Sequence, residues 1–168
     1  KIFATASAGK QNLIKEQGVE GVFDSRTLDF ADQILDCTNG VGVDVVLNSL
    51  KGEWVDASFK CLKKGGKFLE LGKIDIWSDA QAKEKRPDAK YLPFDLLEVA
   101  TAEPLKIRSL LLRISKEIST GSLQNIPSKA WHINEFKDAF KHMAQARHIG
   151  KVVIKQPIQP EQISIKEN

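Results

Sequence analysis

Three short apolar runs constrain this chain more than any other feature. They are Ile2 to Ala6, Val43 to Leu47 and Lys67 to Leu71, and helical stretches separate them. Strand alternating with helix is the pattern of a parallel sheet whose connections cross over its faces. Val43-Asp44-Val45-Val46-Leu47 is rich in β-branched residues. That composition suits a central strand covered on both faces.

The segments between these runs fit the same scheme. Lys10 to Gln17 reads as a helix stopped by Gly18. Val19 to Asp24 is a short strand that opens into the polar loop Ser25-Arg26-Thr27. Asp29 to Cys37 carries Phe30, Ile34 and Leu35 at helical spacing, and Asn39-Gly40-Val41-Gly42 is a turn. Glu53 to Leu62 is a further helix, closed by Lys63-Lys64-Gly65-Gly66. Residues 74 to 90 are polar and contain Pro87, which predicts a loop with some helix, and Lys90 to Leu97 reads as extended. Glu103 to Thr120 is a long amphipathic helix with Leu105, Leu110, Leu111, Ile114 and Ile118 on one side. Trp131 to Ile133 is a short strand, and Asn134 is placed to cap a helix over Glu135 to Ala146. Gly150 to Ile154 is the last strand, and the polar residues from Gln156 read as a linker or tail.

The pattern predicts an α/β fold with a doubly wound, Rossmann-like parallel sheet. In such sheets a Gly-rich turn follows the first strand and opens a helix that holds a pyrophosphate. No such turn stands ahead of Ile2. The chain is therefore expected to be a nucleotide-binding domain entered one strand late. Gly40-Val41-Gly42 does not supply the turn, because it follows a helix and opens a strand.

Composition excludes several classes. The net charge of +3 comes from scattered Lys and Arg, and aromatic residues make up 7% of the 168. Neither suits a nucleic-acid surface. No apolar run approaches the ~20 residues of a membrane span. Cys37 and Cys61 lack metal-type spacing and are expected to be buried or half-buried free thiols in a reducing cytoplasm. His132, His142 and His148 show no ligand spacing, so no metal site is expected. Trp54, Trp77 and Trp131 are isolated along the chain and read as partly buried.

Ligands of doubly wound sheets lie across the carboxyl ends of the strands. At the first such end an acid normally holds the ribose 2′-hydroxyl of NAD. Here Thr5, Ser7 and Lys10 stand instead, with Arg26 after the next strand. Hydroxyls and cations attract a 2′-phosphate where an acid would repel it, which favours NADP(H). Asn48-Ser49 and Gly72-Lys73 occupy two further strand ends. A lysine beside a nicotinamide can deliver a proton. Asp95 sits in the apolar stretch Tyr91-Leu92-Pro93-Phe94-Asp95-Leu96-Leu97. A carboxylate there demands a partner or a function.

Several longer strings resemble one family. They are Gly42 to Glu53, Gly65 to Lys73, Asp24 to Phe30, and Met143 to Ile154. In that order they are similar to the enoyl reductase domain of modular polyketide synthases and animal fatty acid synthase, a zinc-free branch of the medium-chain dehydrogenase/reductases. The likeness runs over about residues 1 to 155. It implies NADPH-dependent reduction of an α,β-unsaturated thioester carried on an acyl carrier protein, within a multifunctional enzyme whose neighbouring synthase domains are its partners. By motif position it implies that Lys73 and Asp95 are the proton donor or its partner. Ser7, Lys10 and Arg26 fall at the 2′-phosphate, and Asn48, Ser49, Leu71 and Gly72 fall along the ribose and nicotinamide. It further implies that residues 1–127 are the nucleotide-binding domain. Residues 128–155 would return to a mostly missing substrate domain, and 156–168 would be a linker. It is compatible with a homodimer. Two other readings stay open: a free-standing quinone-oxidoreductase-like enone reductase, and a non-catalytic scaffolding module.

Overall fold

The fold is described from a computed structural model over residues 1–145 and 148–156. The expected helix end at Ala146, Arg147 and the tail from Pro157 lie outside the described residues. The chain divides into two compact units, Lys1–Glu103 and Pro104–Asn168.

The first unit alternates strand and helix: β1 Phe3–Ala6, α1 Ala8–Lys15, β2 Gly21–Asp24, α2 Phe30–Cys37, β3 Val43–Asn48, α3 Glu53–Lys60, β4 Leu62–Glu70, α4 Asp79–Lys85, β5 Lys90–Pro93 and α5 Leu96–Ala102. Every strand pairing is parallel, β1 with β2, and β3 with β4 and then β5. This is the expected α/β Rossmann-like architecture, laid out as two sheets, β1-β2 and β3-β4-β5.

Two apolar clusters hold the unit together. Helix α2 buries Phe30, Ala31 and Ile34 on one stripe, and these pack with Cys61 against Phe3 of β1, Phe23 of β2 and Val43 of β3. The α2 stripe thus touches strands of both sheets. Helix α3 buries Val55 and Phe59 at i,i+4 spacing, against Leu62 and Phe68 of β4. Phe59 stacks on Phe68 with ring centroids 4.0 Å apart and on Trp77 at 4.9 Å, and Tyr91 tilts against all three. Trp77, isolated in the sequence, is therefore part of an aromatic cluster. Its backbone N–H also donates to the Tyr91 hydroxyl at 3.2 Å. The cluster fixes the loop after β4 and strand β5 to the same core.

The expected central strand is open on one edge. β3 pairs with β4 alone, and Asp44, Val45 and Leu47 are exposed. Its other side faces a crevice of about 990 Å³, lined along the far wall by Lys1 to Thr5. The residues suit a covered strand, but covering needs a neighbour on each edge, and within the described residues β3 has one.

The helix α3 ends earlier than its pattern suggests, and β4 begins at Leu62, through the Lys-Lys-Gly-Gly stretch. Val43 pairs with Leu62 but Val45 with Lys67, so β4 bulges between them. Arg86 and Asp88 stitch the bulge. The Arg86 guanidinium donates to the carbonyls of Phe59, Leu62 and Lys63, and Asp88 accepts from Gly65 N–H. Arg86 and that amide hold the Asp88 carboxyl far below the ordinary range. The turn before β3 needs glycine at 42: φ is +86°, and a Cβ would lie 2.4 Å from the Cys61 carbonyl oxygen.

The two thiols differ from each other, and Cys37 differs from expectation. Cys61 is buried as expected, and burial pushes its thiol up to about 11, whereas Cys37 is exposed near the end of α2.

The second unit holds α6 Pro104–Ser119, β6 Ser128–His132, α7 Phe136–Ala144 and β7 Lys151–Lys155. β6 and β7 pair in parallel, so β6, α7 and β7 form a βαβ unit. β6 starts three residues before the expected Trp131. The N-cap position of α7 falls to Glu135 rather than Asn134 and carries no capping bond; the side-chain cap is made by His132, one short turn earlier. Its Nδ1 accepts from Asn134 N–H and its own N–H donates to Glu135, opening a short 3₁₀ turn ahead of α7. Helix α6 buries no residue: Leu105, Leu111 and Leu112 are exposed. No helix among the described residues is long and apolar enough to cross a membrane.

Candidate functional site

The carboxyl ends of the strands gather the expected residues into two groups. The first lines the crevice. Thr5 near the end of β1, Ser25 after β2, and Asn48 and Ser49 at the end of β3 all face it. The structure brings Thr5, Asn48 and Ser49 together there, and adds Ser25. Ser7, Lys10 and Arg26 stand beside these ends and are not among the lining. Ser7 takes the N-cap position of α1 in extended conformation, yet its hydroxyl makes no capping bond. Lys10 N–H donates to the Ser7 carbonyl at 2.8 Å, which places the lysine in the first turn of α1. Arg26 is exposed, and its backbone N–H donates to Asp24 at 2.9 Å. A helix N-terminus, an unused hydroxyl and two cations form a setting that favours an anion.

The second group is built at the ends of β4 and β5. Lys73, three residues past β4, pairs with Asp95, two residues past β5, at 2.7 Å. The strands run parallel and in register, Glu70 opposite Pro93, so residues just beyond each come out side by side. Asp95 does not lie inside an extended stretch as its neighbours suggested. It is the N-cap of α5, accepting from Leu97 N–H at 2.8 Å. The Lys73 ammonium, and then the Leu97 amide, hold its carboxyl below the ordinary carboxylate value. The pair is open to solvent, with Lys73 57% and Asp95 33% exposed. Exposed apolar side chains adjoin it along the chain: Ile74 and Ile76 on the loop after β4, Phe94 just past β5, and Leu96 and Leu97 in the first turn of α5. Leu71 is exposed and Gly72 half-buried, both between β4 and Lys73.

One residue of this end escaped the reading of the sequence. Glu70 closes β4 with 3% exposure. Its carboxylate accepts from Asn48 Nδ2 at 2.7 Å and from Gly72 N–H. The signal was present: Gly66, Phe68 and Glu70 share one face by strand alternation, and the first two face the core.

These features define a dinucleotide-binding α/β domain with its ligand edge at the strand ends. The comparisons make the class specific. The family model described as zinc-binding dehydrogenase matches residues 17–154. The chain belongs to that family. It is 42% identical over 159 residues to a type I phenolphthiocerol synthesis polyketide synthase of Mycobacterium marinum, covering 94% of this chain and 7% of that protein. Among solved structures, the CurK enoyl reductase is 46% identical with a TM-score of 0.83, covering 93% of this chain and 47% of that one. The nucleotide-binding subdomain of the enoylreductase domain of PpsC from Mycobacterium tuberculosis is 41% identical with a TM-score of 0.62, covering 73% and 70%. The chain therefore spans a small part of the synthase it matches and about half of the CurK structure. Within the family it is similar to the enoyl reductase part of polyketide synthases, as the motifs implied.

The family's name raises the question of zinc, and the residues do not fit it. Among the described residues no three of His, Cys, Asp and Glu converge. The Cys61 thiol is buried against the carbonyls of Ala31 and Ala57. A nicotinamide dinucleotide does fit the strand ends: Thr5, Ser25 and Ser49 present hydroxyls there, and Ser7, whose hydroxyl makes no capping bond, stands with Lys10 at the start of α1.

Proposed function

We propose that this chain is the nucleotide-binding part of an NADPH-dependent enoyl reductase. Its substrate is an enoyl thioester on an acyl carrier protein, presented by neighbouring synthase domains. The observation that carries the reading is the Lys73–Asp95 pair at the carboxyl ends of adjacent parallel strands. An ion pair this exposed adds little to stability. Its placement is better explained by chemistry.

Thr5 and Ser49 would hold the dinucleotide across the strand ends, with Asn48 shaping the turn beneath it through its bonds to Glu70 and Leu50, and with Leu71 and Gly72 along its nicotinamide half. Ser7, Lys10 and Arg26 would take the 2′-phosphate, where an acid would exclude it. The bound cofactor supplies the hydride. Lys73 answers the charge that develops on the thioester as its β-carbon gains that hydride. Its ammonium stabilises the enolate oxygen and gives a proton to the α-carbon. Asp95 holds Lys73 in place, and is itself fixed by the α5 amide. Solvent reaches Lys73 and restores its proton. Ile74, Ile76, Phe94, Leu96 and Leu97 offer an apolar border suited to an acyl chain.

The test is NADPH oxidation with a crotonyl-type thioester by the full-length polypeptide that carries this segment. Turnover that collapses in Lys73→Ala supports the reading. No turnover in the parent, with Lys73→Ala costing nothing, would leave the scaffolding module as the better account.

A further inference from the structure

Glu70 is the buried acid of the first unit that the chemistry above does not use. Acids of this kind are almost never buried without partners. Its partners are all at the strand ends. The Glu70 carboxylate accepts from Gly72 N–H through Oε1 and from Asn48 Nδ2 through Oε2 at 2.7 Å. Its backbone carbonyl accepts from Phe94 N–H at 2.9 Å. Gly72 immediately precedes Lys73, and Phe94 immediately precedes Asp95. One residue thus holds the chain just ahead of both members of the ion pair. The Asn48 contact extends the hold to β3. Asn48 Nδ2 also donates to the Leu50 carbonyl at 2.9 Å, and its Oδ1 accepts from Leu50 N–H at 3.2 Å. Gly72 is tied in sterically as well: a Cβ there would lie 2.6 Å from Glu70 Oε1.

We propose that Glu70 is a positioning residue, which sets the Lys73–Asp95 pair and the Asn48–Leu50 turn in one arrangement at the tips of β3, β4 and β5. The proposal rests on the reading of Lys73 and Asp95 given above. It follows from donor and acceptor arithmetic. Glu70 faces two N–H donors and meets both because a carboxylate only accepts. A glutamine would turn its own NH2 toward one of them. Asn48 cannot flip to compensate, because Leu50 N–H requires Oδ1 where it is. Buried polar networks of this kind are costly when partly satisfied.

Glu70→Gln and Glu70→Asp test this, in the full-length polypeptide. Glu70→Gln should lower kcat about tenfold or more. Its Gly72 amide should also exchange hydrogen about tenfold faster than in the parent. Glu70→Asp keeps an acceptor-only head group, so it should retain more of the parental kcat than Glu70→Gln despite its shorter reach. A residue that merely fills the core gives the opposite order, because glutamine matches glutamate in size and aspartate does not. Glu70→Gln at parental kcat and exchange rate overturns the proposal, as does a folded Glu70→Asp no more active than Glu70→Gln. If Glu70→Gln does not fold, Glu70→Asp decides: a folded, active variant supports the proposal, and an unfolded or dead one overturns it. A parent without enoyl reductase turnover defeats the functional reading instead. The amide exchange of the two variants then judges Glu70 by itself.

Discussion

Lys73 meets Asp95 because each stands a few residues beyond its strand, on strands that share a register. The pairing has a titration consequence. The Asp95 carboxyl is held below its unfolded value, chiefly by Lys73. Its contribution is therefore complete above the unfolded value of about 3.9 and is lost as pH falls through the lower folded value. In Lys73→Ala the main cause is gone, so Asp95 should titrate at higher pH than in the parent. A carboxyl NMR titration checks this, and an unchanged midpoint would refute the pairing. The same substitution should reduce enoyl thioester turnover by about 10²–10⁴-fold. The thiols give a simpler residue-scale test. A thiol reagent should modify exposed Cys37 in the folded protein and spare Cys61, whose thiolate is disfavoured by burial. Equal labelling of both would contradict the buried placement.

At the scale of elements, α1 and the aromatic cluster carry the predictions. The N-terminal turn of α1 holds Ser7 and Lys10 with no acid in its first turn. Lys10→Glu should weaken NADPH about tenfold or more while leaving NADH nearly unchanged, because only the former carries the 2′-phosphate. Titration with both nucleotides measures the ratio, and equal losses would move the phosphate elsewhere. Phe68 of β4 is fully buried and stacked on Phe59. Phe68→Ala should cost about 3–5 kcal/mol, read from chemical denaturation. A loss below ~1 kcal/mol would mean that the cluster is not the core of β3-β4-β5. The alternation of apolar and polar residues made the strands and most helices readable. It did not show the bulge in β4 or the Arg86–Asp88 stitch, because both depend on residues 19 or more apart in sequence. α5 was hidden for a different reason. Asp95 looked like a charge inside a strand, and only its capping bond to Leu97 reveals a helix start.

At the scale of the whole molecule, the open edge of β3 is the dominant fact. Val45 and Leu47 are exposed on a strand composed for burial, across a crevice from β1. Residues 1–168 alone should therefore bind NADPH about 100-fold more weakly than a longer polypeptide that supplies a strand between β1 and β3, since unpaired sheet edges and half-formed pockets cost preorganisation. Calorimetric titration of both proteins decides it, and equal affinities would show that the crevice is complete as it stands. The apolar side chains exposed on α6 also await a covering surface, and nothing among the described residues of the second unit supplies one.

The amino-acid order by itself determined the alternation of strand and helix, the strand ends where Thr5, Ser7, Lys10, Arg26, Asn48, Ser49, Gly72 and Lys73 stand, and the family resemblance. These follow from local periodicity and local motifs, which a chain carries without its neighbours. Tertiary structure decided that Lys73 and Asp95 touch, that Glu70 is buried among three strand tips, that Cys37 is exposed, and that β3 has one partner. Each of these is a distance between segments far apart in sequence, set by packing of faces and by hydrogen-bond satisfaction, and no local pattern encodes it.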